Sequence, residues 1–196
     1  NALLQSGDAR DAALDAWDAE FVEAGGTIQR ARAAYADALA TKFASIVNAH
    51  SYHLQNLQIV YRPSGVGDLR TLRRAELRTR VSLSGPHRDN LDFTIDGRMA
   101  AEVASAGEQK MIVMFLKFAK LELFREKFDE PALFLLDDID AELDLEILQK
   151  LLSRLPPQTQ VFATSAKEHF IAALESGQRR RLSIENGRVT AVRDFS

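Results

Sequence analysis

Ala132-Leu133-Phe134-Leu135-Leu136-Asp137-Asp138, continuing as Ile139-Asp140-Ala141-Glu142-Leu143-Asp144, is the stretch that decides the fold of this chain. Five apolar residues follow Pro131 without interruption and end in two adjacent carboxylates. Such a run predicts a strand buried on both faces, as in a parallel sheet. Open α/β sheets place their chemistry at the carboxyl ends of these strands. An aspartate leaving a buried strand calls for neutralisation, which a magnesium ion carrying nucleotide phosphates supplies in phosphate-binding folds. The structural alternative is a strand ending in a solvated acidic turn.

Composition limits the classes. The chain has 196 residues, 46% hydrophobic and 27% charged, which fits one globular domain with room for an appendage. A formal net charge of -3 gives no global nucleic-acid signature, so any DNA contact needs a local basic patch. The absence of cysteine excludes disulfides, thiolate zinc sites and a thiol nucleophile. No apolar stretch approaches the roughly 18 residues of a membrane span and no signal-peptide pattern opens the chain, so no membrane contact and a cytoplasmic location are expected. The sequence begins at Asn1 without methionine, which suggests a piece of a longer protein.

Upstream of the deciding stretch, residues 8 to about 48 are alanine-rich and free of proline, a helical pattern. Leu14, Phe21, Ile28 and Tyr35 recur every seven residues, with Trp17, Ala24 and Ala31 as a second line continued loosely by Leu39, Phe43 and Ile46, so the helix is coiled-coil-like. Gly25-Gly26 is expected to loosen or break it. A seam needs a partner, and one leg of a short antiparallel arm is the expected form, with a helix of a local bundle as the structural alternative. Leu57, Ile59 and Tyr61 alternate as a strand ending at Pro63. A helix from residue 68 to about 80, capped by Asp68, carries Arg70, Arg73, Arg74, Arg78 and Arg80, a basic face that is either solvated or turned to phosphate.

Ser84-Gly85-Pro86-His87-Arg88-Asp89 is a polar turn, structural by default, in which His87, Arg88 and Asp89 could also cluster and position the segment beyond the next hairpin. That hairpin runs through Leu91, Phe93 and Ile95, turns at Asp96-Gly97, and returns through Met99, Ala101 and Val103. A long helix over about 107–128 follows, apolar nearly all round. Ser105 and Glu108 stand at capping-box spacing before it. A serine, a close-approach glycine and free amides at a helix start also form an anion site. Beyond the deciding stretch, Val161 to Thr164 reads as a second strand, residues 167–175 as a helix holding His169, and Arg179-Arg180-Arg181 leads into a terminal hairpin turned by Asn186-Gly187.

Taken in order, Gly85-Pro86-His87-Arg88-Asp89, Ser105-Ala106-Gly107-Glu108-Gln109, Leu135-Leu136-Asp137-Asp138 and Ala141-Glu142-Leu143-Asp144 resemble the C-terminal half of the RecF family of bacterial DNA replication and repair proteins. Asn1-Ala2-Leu3-Leu4 and Tyr61-Arg62-Pro63 extend the resemblance across the chain. The Gly-Pro-His-Arg-Asp run is its most specific part; the other motifs are shared by ABC-type and SMC-like ATPases. The implied fold class is α/β, the C-terminal part of a P-loop ATPase head, with a helical arm at 1–56 and an ATPase lobe at 57–196.

The resemblance implies that Asp137 is the Walker B ligand of Mg2+ and Asp138 the carboxylate acting on the attacking water. It implies that Ser105, Gly107, Glu108 and Gln109 form the signature motif, which meets the γ-phosphate of ATP held by the opposite subunit of a homodimer. Asp144 marks the loop across that interface; its structural alternative is a helix N-cap. The family further implies ATP-dependent binding to single-stranded and gapped double-stranded DNA, work with RecO and RecR in loading RecA, and the SOS response. Two departures accompany these expectations. No Gly-Lys dipeptide occurs, so a Walker A loop is absent from this sequence and no ATPase activity is expected of it alone. Thr164-Ser165-Ala166 stands where many ABC ATPases carry a switch histidine. Alternatives are a metal-dependent nuclease built on Asp137, Asp138 and Asp140, or a non-catalytic scaffold or dimerisation module.

Overall fold

The proline-free, alanine-rich segment folds as one unbroken helix, α1 (Asp11–His50), in a computed structural model that describes residues 11–50, 54, 56–67, 69–139, 145–153, 155, 159–173 and 179–195. The expected break at Gly25-Gly26 does not occur. A Cβ on Gly25 would stand 2.9 Å from Val66 Cγ1 and 3.4 Å from Pro86 Cδ, so the bare backbone there is a packing contact with the neighbouring loops. The expected heptad seam is mostly open: Trp17 is 59% and Tyr35 48% exposed. Its continuation through Leu39, Phe43 and Ile46 is buried, together with Ala36 and Val47, where the C-terminal half of α1 lies on the sheet.

That sheet contains β1 (Leu57–Arg62), antiparallel to β2 (Asn90–Ile95) in a register running from Leu57 opposite Ile95 to Arg62 opposite Asn90. Phe43 of α1 meets Phe93 edge-on at 5.9 Å between ring centres. Asp96 and Gly97 take φ of 51° and 77°, the pair of left-handed residues a two-residue hairpin requires. The return strand β3 is only Arg98–Met99, and helix α3 (Ala100–Val103) replaces the rest of the expected strand. Alternation in Met99, Ala101 and Val103 was thus misleading: a four-residue helix buries Ala100 instead. The arginine-rich helix is α2 (Leu69–Thr79). These elements belong to a compact unit of residues 1–104; a second spans 105–196. Within the first unit α1 packs on β1.

In the second unit α4 (Ala106–Phe128) leads to β4 (Leu133–Leu136), which pairs in parallel with β5 (Gln160–Ala163). The β4 strand is not buried on both faces. Phe134 and Leu136 are buried, the former against Phe118 of α4, while Leu133 and Leu135 are 55% and 64% exposed. One covering helix layer screens one face only, so the five-residue run overstates burial. Helices α5 (Leu145–Leu152) and α6 (Glu168–Ala173) flank β5 in sequence, and β6 (Arg179–Glu185) with β7 (Arg188–Phe195) forms the terminal hairpin. Its turn is the expected Asn186-Gly187, at φ of 50° and 73°. No described helix is long and apolar enough to cross a membrane.

Candidate phosphate and cation site

The start of α4 carries a completed capping box. Ser105 is the N-cap; its Oγ accepts from the Glu108 amide at 3.3 Å and donates to Glu108 Oε2 at 2.7 Å. The same Oε2 accepts the Ser105 amide at 2.8 Å. The structural alternative is thus realised in full. Ser105 and Gly107 are exposed, and a Cβ on Gly107 would meet nothing within 4 Å, so the terminus is open to close approach. Glu108 and Gln109 occupy the same first turn. For Ser105 to offer its hydroxyl to an anion, the proton now given to Glu108 must turn away from it.

The acidic turn lies at the carboxyl end of β4, with Asp137 and Asp138 both exposed. Thr164, the residue after β5, holds it through four hydrogen bonds. Its amide donates to Leu136 O at 2.9 Å, continuing the parallel ladder, and its carbonyl accepts from the Ile139 amide at 3.0 Å beyond it. Its Oγ1 donates to Asp137 Oδ1 at 2.5 Å and accepts from the Asp138 amide at 2.9 Å. Asp138 has φ of 49° and Ile139 beyond it is buried, so the chain turns sharply between a fixed strand end and a fixed anchor. Beside the turn lies a cavity of about 370 Å³, walled by Val113, Met114, Leu136 and Leu148, with Asp137 and Lys117 as its charged members. The Ser105 and Asp137 groups occupy the same compact unit, each held by its own neighbours. Asp140 and Asp144 lie outside the described residues, as does Asp68. Among the described residues no three His, Asp or Glu side chains gather as a metal cluster.

The Gly85-to-Asp89 turn takes the structural role that is its default. Asp89 accepts from Tyr61 Oη at 2.5 Å, Gln29 Nε2 at 2.7 Å, Arg32 Nη1 at 2.9 Å and the Ser64 amide at 3.1 Å. Arg32 also donates to Pro86 O. The motif therefore fastens α1 and β1 to each other. His87 Nε2 and the Arg88 guanidinium both reach Ser82 O, at 3.2 Å and 3.2–3.3 Å. Burial would raise the Asp89 carboxyl, but the bonds from Tyr61, Ser64, Gln29 and Arg32 together outweigh it and hold the pKa at about 2. Gly85, at φ 116°, is pressed against Phe21 of α1, so this position accepts glycine alone.

Part of the basic face of α2 turns inward. Arg73 pairs with Asp15 at 2.8 Å and Asp18 at 2.6 Å, and Arg70 lies 3.6 Å from Asp15. The Arg73 hydrogen bond holds the Asp15 carboxyl below its ordinary value. Arg74, Arg78 and Arg80 remain exposed. The arginine run lies within β6, where Arg180 pairs with Asp194 and Arg181 with Glu168, both at 2.7 Å. His169 is exposed on α6, its ring 5.0 Å from Phe170. Reading the sequence missed Thr164, noticed only as a place lacking histidine, and the convergence of Gln29, Arg32 and Tyr61 on Asp89. Their one available signal was a hydroxyl residue ending the strand parallel to β4.

No protein-family model matches the sequence. Curated relatives include the DNA replication and repair protein RecF of Geotalea daltonii, 34% identical over 96% of this chain and 56% of the relative. RecF of Symbiobacterium thermophilum is 33% identical over 84% of this chain and 48% of the relative. The chain spans about half the length of the curated relatives it matches. A solved structure of the recombination mediator protein RecF with ATP, from the RecFOR pathway, matches 100% of this chain and 54% of its own at TM-score 0.76 and 19% identity. A structure from work on ATP-driven dimerization and DNA-stimulated activation of SMC ATPases matches 85% and 89% at TM-score 0.50 and 16% identity. These structural likenesses speak for the fold alone, an α/β fold shared with the RecF structure and with the SMC ATPase structure. With motif order, sequence relatives and fold in agreement, the chain belongs to the RecF family of DNA replication and repair proteins and corresponds to its C-terminal half.

Proposed function

We propose that this chain contributes the signature helix and the Walker B turn to an ATP-dependent DNA-repair protein whose two copies close on ATP. In this reading Ser105, Gly107, Glu108 and Gln109 meet the γ-phosphate held by the opposite copy, Asp137 is the cation ligand, and Asp138 orients or deprotonates the attacking water. Asp144 belongs to the loop crossing the interface. The carrying observation is the Asp137 carboxylate at the open carboxyl end of a parallel strand, with Oδ1 fixed by the Thr164 hydroxyl. An exposed, oriented oxygen donor fits magnesium, which takes one or two carboxylates and keeps its remaining positions for water and phosphate. When bound, the ion supplies charge neutralisation for the phosphates.

The wider activity is the one the family resemblance implies: ATP-dependent binding of single-stranded and gapped double-stranded DNA, alongside RecO and RecR, in support of RecA loading and the SOS response. A soluble cytoplasmic setting goes with it. The Walker A loop would come from sequence not present in this chain. The comparisons do not favour the nuclease reading. The test is ATP-dependent dimerisation of a longer RecF-family protein carrying this sequence, followed by sedimentation velocity. Asp137→Ala and Ser105→Arg are each expected to abolish it, the first through the cation and the second through the partner's nucleotide. Dimerisation unchanged in both variants would leave only the scaffold.

A further inference from the structure

We propose that Thr164 is the positioning residue of the acidic turn, its hydroxyl setting the orientation of the Asp137 carboxylate and the Asp138 peptide. The side chain and the backbone of Thr164 do separable work. Its amide bonds Leu136 O at the end of the β4–β5 ladder and its carbonyl accepts from the Ile139 amide beyond that ladder, backbone bonds that do not use the side chain. Its hydroxyl contributes nothing to strand pairing. It is turned wholly to the acidic turn, donating its single proton to Asp137 and accepting from the Asp138 amide. Donor and acceptor roles are thereby both filled, which allows one rotamer and one placement of the carboxylate.

Asp138 sits at a left-handed φ of 49°, disfavoured for a residue with a side chain. The bonds to Thr164 flank that residue: its own amide goes to Oγ1 and the next amide to the Thr164 carbonyl. Asp137 Oδ1 is engaged by Thr164, and among the described residues no cation pairs with Asp137. With Oδ1 pinned, Oδ2 is the oxygen oriented for a divalent ion, a consequence that rests on the proposed cation role of Asp137. At the place where many ABC ATPases carry a histidine, this chain thus carries a hydroxyl that serves the carboxylate pair. Thr164 acts through Asp137 and Asp138 and needs no contact with phosphate.

The test is amide exchange in the 196-residue chain, read by NMR at residues 137–139. Thr164→Val keeps the β-branched shape and deletes the hydroxyl. Exchange at Asp138 is expected to accelerate by about tenfold, the loss of one hydrogen bond, while Ile139, bonded to the backbone carbonyl, stays protected. Thr164→Ser should restore parent exchange to within about threefold. Thr164→Ala serves if the valine variant fails to fold. Equal Asp138 exchange in the parent and a hydroxyl-free variant would overturn the proposal, as would loss of protection in the serine variant. Titrating Mn2+ alone gives the second readout. Broadening centred on residues 137–139 should need several-fold more Mn2+ in Thr164→Val than in the parent. No broadening in the parent would overturn the cation role of Asp137, while the exchange rates still decide Thr164.

Discussion

Removing the Asp89 carboxylate should unfasten the arm helix. Its side chain is 3% exposed and collects four donors from two separate stretches of the chain, 29–32 and 61–64. The pKa of about 2, against an ordinary value of 3.8, corresponds to about 2 kcal/mol of folding free energy at neutral pH. Because the folded pKa is depressed, that stabilisation is present in full above about pH 4 and fades as pH falls toward 2. Asp89→Ala should cost more, about 3 kcal/mol or above, because Tyr61, Gln29 and the Ser64 amide lose their acceptor together. Asp89→Asn retains one oxygen but no titration, so its stability should lack this component of the acid dependence. Urea denaturation from pH 2 to 6 measures both effects. Trp17, the single tryptophan and part of α1, reports on this unit by fluorescence, and circular dichroism follows the helix. A cost below about 0.5 kcal/mol for Asp89→Ala, or the same acid dependence for Asp89→Asn and the parent, would refute the account of Asp89 as a fastener.

Other outcomes follow from single contacts. Gly26→Ala should stabilise the chain by about 0.5–1 kcal/mol in thermal unfolding, because its nearest neighbour is the flexible end of Arg30 at 3.4 Å, whereas Gly25→Leu should destabilise it by driving into Val66 and Pro86. Gly85→Ala should lower the melting temperature through both its left-handed φ and its contact with Phe21. Ser105→Ala should cost about 1 kcal/mol by removing the α4 cap, with Ser105→Thr or Asp recovering most of it. ATP hydrolysis by this chain alone should stay at background in a phosphate-release assay, since no Walker A loop is present; robust turnover would refute the assignment of its motifs.

Much of the fold was legible where the forces are local. The capping box joins residues three apart, and both Asp96-Gly97 and Asn186-Gly187 formed the hairpin turns their types demand. The order of motifs led to the family, and β4 does end in its acidic turn. Misreadings arose where a distant neighbour decides. The Gly25-Gly26 pair is weak in any isolated helix, yet α1 continues because Val66 and Pro86 lie where a side chain would otherwise stand. The Leu133-to-Leu136 run is apolar enough for two buried faces, but burial depends on what is packed there.

The candidate site divides along the same line. Sequence by itself determined which residues end β4 and begin α4, because strand exit and helix capping are properties of a few consecutive residues. Tertiary structure alone decided that Thr164, 27 residues from Asp137, holds that carboxylate, and that Gln29, 60 residues from Asp89, joins Tyr61 and Arg32 around it. The physical reason is reach: a hydrogen bond spans about 3 Å, so partners far apart in sequence meet only after parallel pairing and helix packing have placed their backbones.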